Sequence, residues 1–163
     1  MKISSILEKI DENQLFVPAF QREYVWKRDD AKQLIDSLIK EYPTGTMLTW
    51  ETANPPELKG PYKYNEKQGA VRLLLDGQQR ITTLYMLIRG VVPPYYTTKE
   101  IMNDTRGLYV NLETMELSYY MKTRLCHIIV AFNLVLCDHL FQNLTFDSRS
   151  TDYGRCSPLL LSQ

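Results

Sequence analysis

Apolar residues recur along this chain with two different periods, and the switches between them outline its elements. Ile3, Ile6, Leu7 and Ile10 repeat at helical spacing, which predicts a short amphipathic helix over residues 3–11. Leu15-Phe16-Val17-Pro18 reads as extended, because the residue before a proline avoids the helical region. Ala31, Leu34, Ile35, Leu38 and Ile39 form the apolar stripe of a second helix, with Asp30 as its expected cap and Gln33 in capping-box position. Pro43 and Gly45 end that helix, and residues 46–50 suit a strand. Residues 52–70 carry Pro55-Pro56, Gly60-Pro61 and Gly69, and read as a long connection. The apolar run of residues 71–75 is that of a buried strand. Ile81, Leu84, Tyr85 and Ile88 then return to helical spacing, closed by Arg89, Gly90 and Pro93-Pro94. Leu108, Val110 and Leu112 alternate with polar neighbours as a half-buried strand, with residues 116–120 as its hairpin partner. Strands interleaved with helices predict an α/β or α+β domain.

Composition narrows the class. The chain has 163 residues, 44% hydrophobic and 23% charged, as in an ordinary soluble globule. A chain of this length buries about 70% of its surface around one core. Its 19 basic and 19 acidic residues give a formal charge of zero. Attraction to DNA or anionic lipid would therefore have to be local. The longest apolar stretch, residues 128–136, is broken by Asn133 and is too short to span a bilayer. Glu8, Lys9, Asp11 and Glu12 interrupt any N-terminal signal segment. Three cysteines make no disulfide framework, so a reducing cytoplasm is the expected location, with no membrane partner.

Usage changes after about residue 120. Every glutamate, and every lysine except Lys122, precedes that point. All three cysteines and both histidines follow it. The expected organisation is a domain over residues 1–120 and an atypical tail over residues 121–163. A helix over residues 125–140 is expected, then a poorly ordered stretch from Asn143 to Gln163, rich in Ser, Thr, Asp and Asn. A truncated or frameshifted end explains the same shift. Cys126-His127, Cys137-Asp138-His139 and Cys156 match no usual zinc spacing, and no zinc is expected.

Chemistry is first suggested at Leu75-Asp76-Gly77-Gln78-Gln79-Arg80, where a strand passes into a helix. A helix start presents unpaired N–H groups and a partial positive charge. Gly77 lets an anion approach the backbone, Arg80 offers a planar fork, and Gln78 and Gln79 add neutral donors. Asp76 beside a phosphate would hold a metal ion or orient a water. The alternative is purely local: Asp76 and Gln79 stand in capping-box spacing. A second segment, residues 18–27, sets Gln21 and Arg22 among Phe20, Tyr24 and Trp26. Arg22 there could bind phosphate or stack on a base, or pair with a carboxylate while the aromatics fill the core.

The two segments together resemble a known family. Residues 16–27, FVPAFQREYVWK, are similar to its IPxFQRxYVW opening. Residues 75–84, LDGQQRITTL, are similar to its (V/I)DGQQRLTTL motif, and Tyr42-Pro43-Thr44-Gly45-Thr46 resembles its YPIGS turn. On these motifs residues 3 to about 120 are identified with the N-terminal domain of GmrSD-type, modification-dependent (Type IV) restriction enzymes, in the ParB/sulfiredoxin-like superfamily. The resemblance implies an α+β fold, a small mixed sheet with flanking helices. It implies nucleotide binding, and in characterised relatives NTP hydrolysis, at Asp76, Gly77, Gln78, Gln79 and Arg80. Sulfiredoxins carry a cysteine at the matching helix start; this chain has Gln78, so sulfinic-acid reduction is not expected. The sequence shows no HNH or other nuclease motif. The expected function is a nucleotide-binding sensor or regulatory domain of a phage-defence system, partnered by a separate HNH-type nuclease. The expected catalytic groups are Asp76 and Gln79. Gly77, Gln78, Arg80, Gln21 and Arg22 are expected on phosphate, with Asp76 on Mg²⁺. The alternatives are a non-catalytic module binding DNA or a partner protein, and an inactive remnant.

Overall fold

A short strand buried on both faces organises the molecule. The computed structural model describes residues 3–65, 69–111 and 114–119, and the backbone of 129–131. Helix α1 (Ile3–Asp11) leads into β1 (Leu15–Phe16), then α2 (Arg28–Ile39), β2 (Leu48–Thr52), β3 (Val71–Asp76) and α3 (Gln78–Arg89). The first sheet has the order β1-β3-β2, with β1 parallel and β2 antiparallel to β3. Leu73 and Leu74 of β3 are both fully buried. Leu74 belongs to the main core, with Ile6, Leu7, Ile35 and Met86. Leu73 belongs to a smaller cluster with Phe16, Leu58 and Val71. Two covered faces explain why β3 reads as a continuous apolar run instead of an alternating one. Helices beside a small mixed sheet make the fold α+β.

Three of the four expected helices and most expected strands are present, with informative shifts. Asp30 does not cap α2. It sits at the third helical position and its carboxylate accepts the Lys27 N–H at 2.8 Å, so the helix begins three residues earlier than the cap expectation. β2 covers Leu48–Thr52, not residues 46–50, because the carbonyls of Thr44 and Thr46 are engaged by Arg80. α3 is more than amphipathic: Gln78, Gln79, Thr82 and Thr83 are buried along with its apolar stripe. Their polar groups are largely paired inside, as with Thr82 Oγ1 and Tyr95 Oη at 3.0 Å. Gly90 ends α3 with φ +72°, its N–H donating to Met86 O. The far ends of α1 and α3 are tied by Asp11, which accepts from Tyr85 Oη at 2.6 Å and pairs with Arg89.

A second sheet has the order β5-β4-β6, from β4 (Tyr109–Asn111), β5 (Leu117–Ser118) and β6 (Ile129–Ala131). The helix expected over residues 125–140 is therefore corrected at Ile129–Ala131, which pair antiparallel with β4. The adjoining β-branched residues Ile128, Ile129 and Val130 favour that outcome. The rest of residues 125–140, the stretch from Asn143 to Gln163, and Leu112 lie outside the described residues. No described helix is long and apolar enough to cross a membrane.

Burial raises the pKa of Tyr24, Tyr62, Tyr85, Tyr95, Tyr96 and Tyr119 above the ordinary phenol value. The folded chain then holds these protons more tightly than the unfolded chain, whose tyrosines titrate near pH 10. Stability should be unaffected by them below about pH 10 and fall as pH rises above it. Urea unfolding between about pH 8 and about pH 11 checks this; an unchanged midpoint at the alkaline end would contradict it.

Candidate functional site

The turn from β3 into α3 is built on a glycine. Gly77 has φ +93°, and a Cβ there would lie 3.0 Å from Met47 Cγ and 3.4 Å from an Arg80 nitrogen. Gly77 is the N-cap residue, and no side chain caps the helix start. The capping box expected between Asp76 and Gln79 is thus not formed. The exposed Asp76 carboxylate instead pairs with Arg80 at 3.2 Å. An uncapped start leaves the first amides of α3, with their partial positive charge, for another partner.

Gln79 is turned to a structural task. Its Oε1 accepts the Val25 N–H at 2.9 Å, and its Nε2 donates to Glu23 O at 3.0 Å. One buried amide thus pairs with the chain as a neighbouring strand would. Gln21 adds a bond from Nε2 to Leu75 O at 2.8 Å. Tyr24 anchors the same segment from within, its hydroxyl 2.7 Å from Thr83 Oγ1 and 3.2 Å from Thr105 Oγ1. Of the aromatics expected in the core, Tyr24 is buried and Trp26 packs against the core in part. Phe20 is 67% exposed.

The two arginines differ sharply. Arg80 donates to Thr44 O and Thr46 O, both at 2.6 Å, besides its pair with Asp76. Its fork is committed to the turn of residues 44–46. Gly45, at φ +90°, allows this approach: a Cβ there would lie 2.6 Å from the Arg80 guanidinium. Arg22, by contrast, is exposed, and no described residue gives its guanidinium a hydrogen bond or ion pair.

All seven residues singled out in the sequence meet around one open cleft. Gln21, Arg22 and Trp26 line one side, and residues 76–80 the other. The space is about 170 Å³, less than the roughly 300–1,000 Å³ of pockets that engulf an organic ligand. It suits a phosphate-sized group whose remainder extends outward.

Two supporting residues carried no sequence signal. Lys59, only 8% exposed, comes from the long connection after β2. Its Nζ donates to Gln21 O at 2.9 Å, Arg22 O at 3.2 Å and Tyr96 Oη at 3.2 Å, and pairs with Glu23 at 3.1 Å. Tyr96 also accepts from Gln78 Nε2 at 2.6 Å. The Pro18–Leu58 bridge beside Lys59 shows why these were hidden: the contact is made only by the folded sheet. Among the described residues, no three His, Cys, Asp or Glu side chains converge as a metal centre. The cysteines and histidines of the tail lie outside them.

Comparison with known proteins agrees with the motif assignment. The family described as the GmrSD restriction endonuclease, N-terminal domain, matches residues 3–152. An uncharacterized protein of Methanocaldococcus jannaschii is 36% identical over 92 residues, covering 51% of this chain and 16% of that protein. The chain spans a small part of the length of the curated relative it matches.

Proposed function

We propose, from the premise that this chain belongs to the GmrSD restriction endonuclease N-terminal domain family, that it is the nucleotide-binding, NTP-hydrolysing sensor of a modification-dependent restriction system. The observation that supports this best is the convergence of an uncapped helix start and an uncommitted arginine on one small cleft. Phosphate oxygens meet the amides of Gln78, Gln79 and Arg80, and Arg22 closes over them from the facing segment. The ribose and base extend outward along the side of the cleft that Trp26 lines.

Among the described residues Asp76 is the single carboxylate lining the cleft, and one carboxylate with the ligand's own phosphates is a usual set for Mg²⁺. Asp76 would hold that ion, which when bound neutralises charge on the transferred phosphoryl group. Gln79, with its Oε1 and one Nε2 proton engaged, positions Arg22 through the backbone of residues 23–25. That engagement favours a second reading, a module that binds nucleotide, DNA or a partner without hydrolysis. DNA cleavage is assigned to a separate HNH-type nuclease unit.

The discriminating variant is Asp76→Asn. Asp76 makes no cap bond and is exposed, so folding is expected to be unchanged within about 0.5 kcal/mol. Mg²⁺-dependent phosphate release should fall by about tenfold or more, each decade being about 1.4 kcal/mol of barrier. Absence of phosphate release from the wild type with all four ribonucleoside triphosphates would establish the non-catalytic reading instead.

A further inference from the structure

The long connection after β2 is pinned at residues 57–60. Ala19 N donates to Glu57 O and Lys59 N to Val17 O, both at 2.8 Å, so the connection runs beside residues 17–19 as a strand would. Gly60 follows with φ +80°, and a Cβ there would lie 2.8 Å from Tyr95 Cα. Backbone meets backbone at that point, which leaves no room for a side chain. Lys59 is thereby set between residues 21–23 on one side and Tyr96 on the other.

The Lys59 ammonium is buried and does not line the cleft. Its three protons are shared among Gln21 O, Arg22 O, Glu23 Oε1 and Tyr96 Oη, at 2.9–3.2 Å. Tyr96 Oη is bonded in turn to the side-chain amide of Gln78 at 2.6 Å, in the first turn of α3. Gln21 and Arg22 belong to one wall of the cleft and Gln78 to the other. Lys59 and Tyr96 therefore form a strut that joins the two walls from behind. Burying an ammonium is costly, so its presence there calls for a reason. A compact cation can gather successive carbonyls, which neither an apolar side chain nor a planar guanidinium does as well. Gln79 already holds residues 23 and 25, and the carbonyl of Arg22 is left to Lys59 and Tyr96.

We propose that Lys59 is a positioning residue of the cleft. By drawing in the carbonyls of Gln21 and Arg22 and bracing against Tyr96, it fixes where the Arg22 guanidinium stands relative to the start of α3, and so sets the width of the anion site. This rests on the phosphate-binding reading of the cleft. Lys59 touches no ligand itself and acts through Arg22.

The test uses inorganic tripolyphosphate, which has no base or ribose, and titration calorimetry on the full chain. Wild type is expected to bind. Lys59→Met keeps the stem and removes the donors, and affinity should fall about tenfold. In an Arg22→Ala background the same change should cost less than about twofold, because the group that Lys59 positions is gone. A purely structural role would lower the melting temperature in both backgrounds and leave the two losses of affinity multiplicative. At saturating tripolyphosphate the Arg22 Nε–Hε resonance should shift in wild type and stay near its free position in Lys59→Met. Tyr96→Phe keeps the bonds of Lys59 to residues 21–23 and cuts the link to Gln78. It should weaken binding about three- to tenfold, with the same dependence on Arg22, and it serves where Lys59→Met does not fold. Failure of wild type to bind would end the cleft reading and this inference with it. Wild-type binding that folded Lys59→Met or Tyr96→Phe reproduces, or losses that multiply with that of Arg22→Ala, would overturn the strut alone.

Discussion

Arg22→Ala should melt at the wild-type temperature and bind Mg²⁺–nucleoside triphosphate about ten- to a hundredfold more weakly. The guanidinium is exposed and uncommitted, so its removal breaks no described bond. A charge-assisted bond to phosphate contributes about 1.5–3 kcal/mol, which sets the size of the loss. Arg80→Ala should show the opposite pattern. It releases the carbonyls of Thr44 and Thr46 and frees the Asp76 carboxylate, and stability should fall by about 1–3 kcal/mol. Calorimetric binding and thermal melting of both variants decide the matter. Unchanged affinity in Arg22→Ala would remove Arg22 from the site, and an unchanged melt in Arg80→Ala would remove the turn-holding role.

Gln79→Leu should be the most damaging single change near the cleft. It strands the Val25 N–H and the Glu23 carbonyl, at about 1–3 kcal/mol each when no water replaces the amide. Against a total of about 5–15 kcal/mol for a domain, that is a large share. The segment carrying Arg22 should loosen as well, so binding and stability fall together. Urea denaturation measures the first, and tripolyphosphate binding at low temperature the second. A variant as stable as wild type would show that Gln79 is not a clamp.

The elements were legible because they are local. The 3.6-residue period of α1 and the α2 stripe, the apolar run of β3 and the glycine after α3 each announce themselves within a dozen residues. Which residues would surround the cleft was legible too, since strand–glycine–helix is a local signal and the family motifs cover both segments. What each residue does there was not legible. Arg80 and Arg22 look alike in sequence, and only the turn of residues 44–46 commits one and leaves the other uncommitted. Gln79 sits at capping-box spacing, yet its partners lie more than fifty residues away. Lys59 gave no sign, because a lysine in a proline-rich connection is ordinarily solvated. In the tail, a helix was expected over residues 125–140, where backbone pairing with β4 gives a strand at Ile129–Ala131.

The bonds that hold residues 21–25 against β3 and α3 join positions 54 to 59 apart in sequence. The parallel pairing of β1 with β3 bridges a comparable span. Such contacts raise contact order, since a long loop must be closed before any of them forms. The helices can begin to form from local contacts alone, whereas the cleft must await the meeting of β1 and β3. During synthesis, the cleft therefore cannot form until residue 80 has left the ribosome. Its two walls are joined late in synthesis and together.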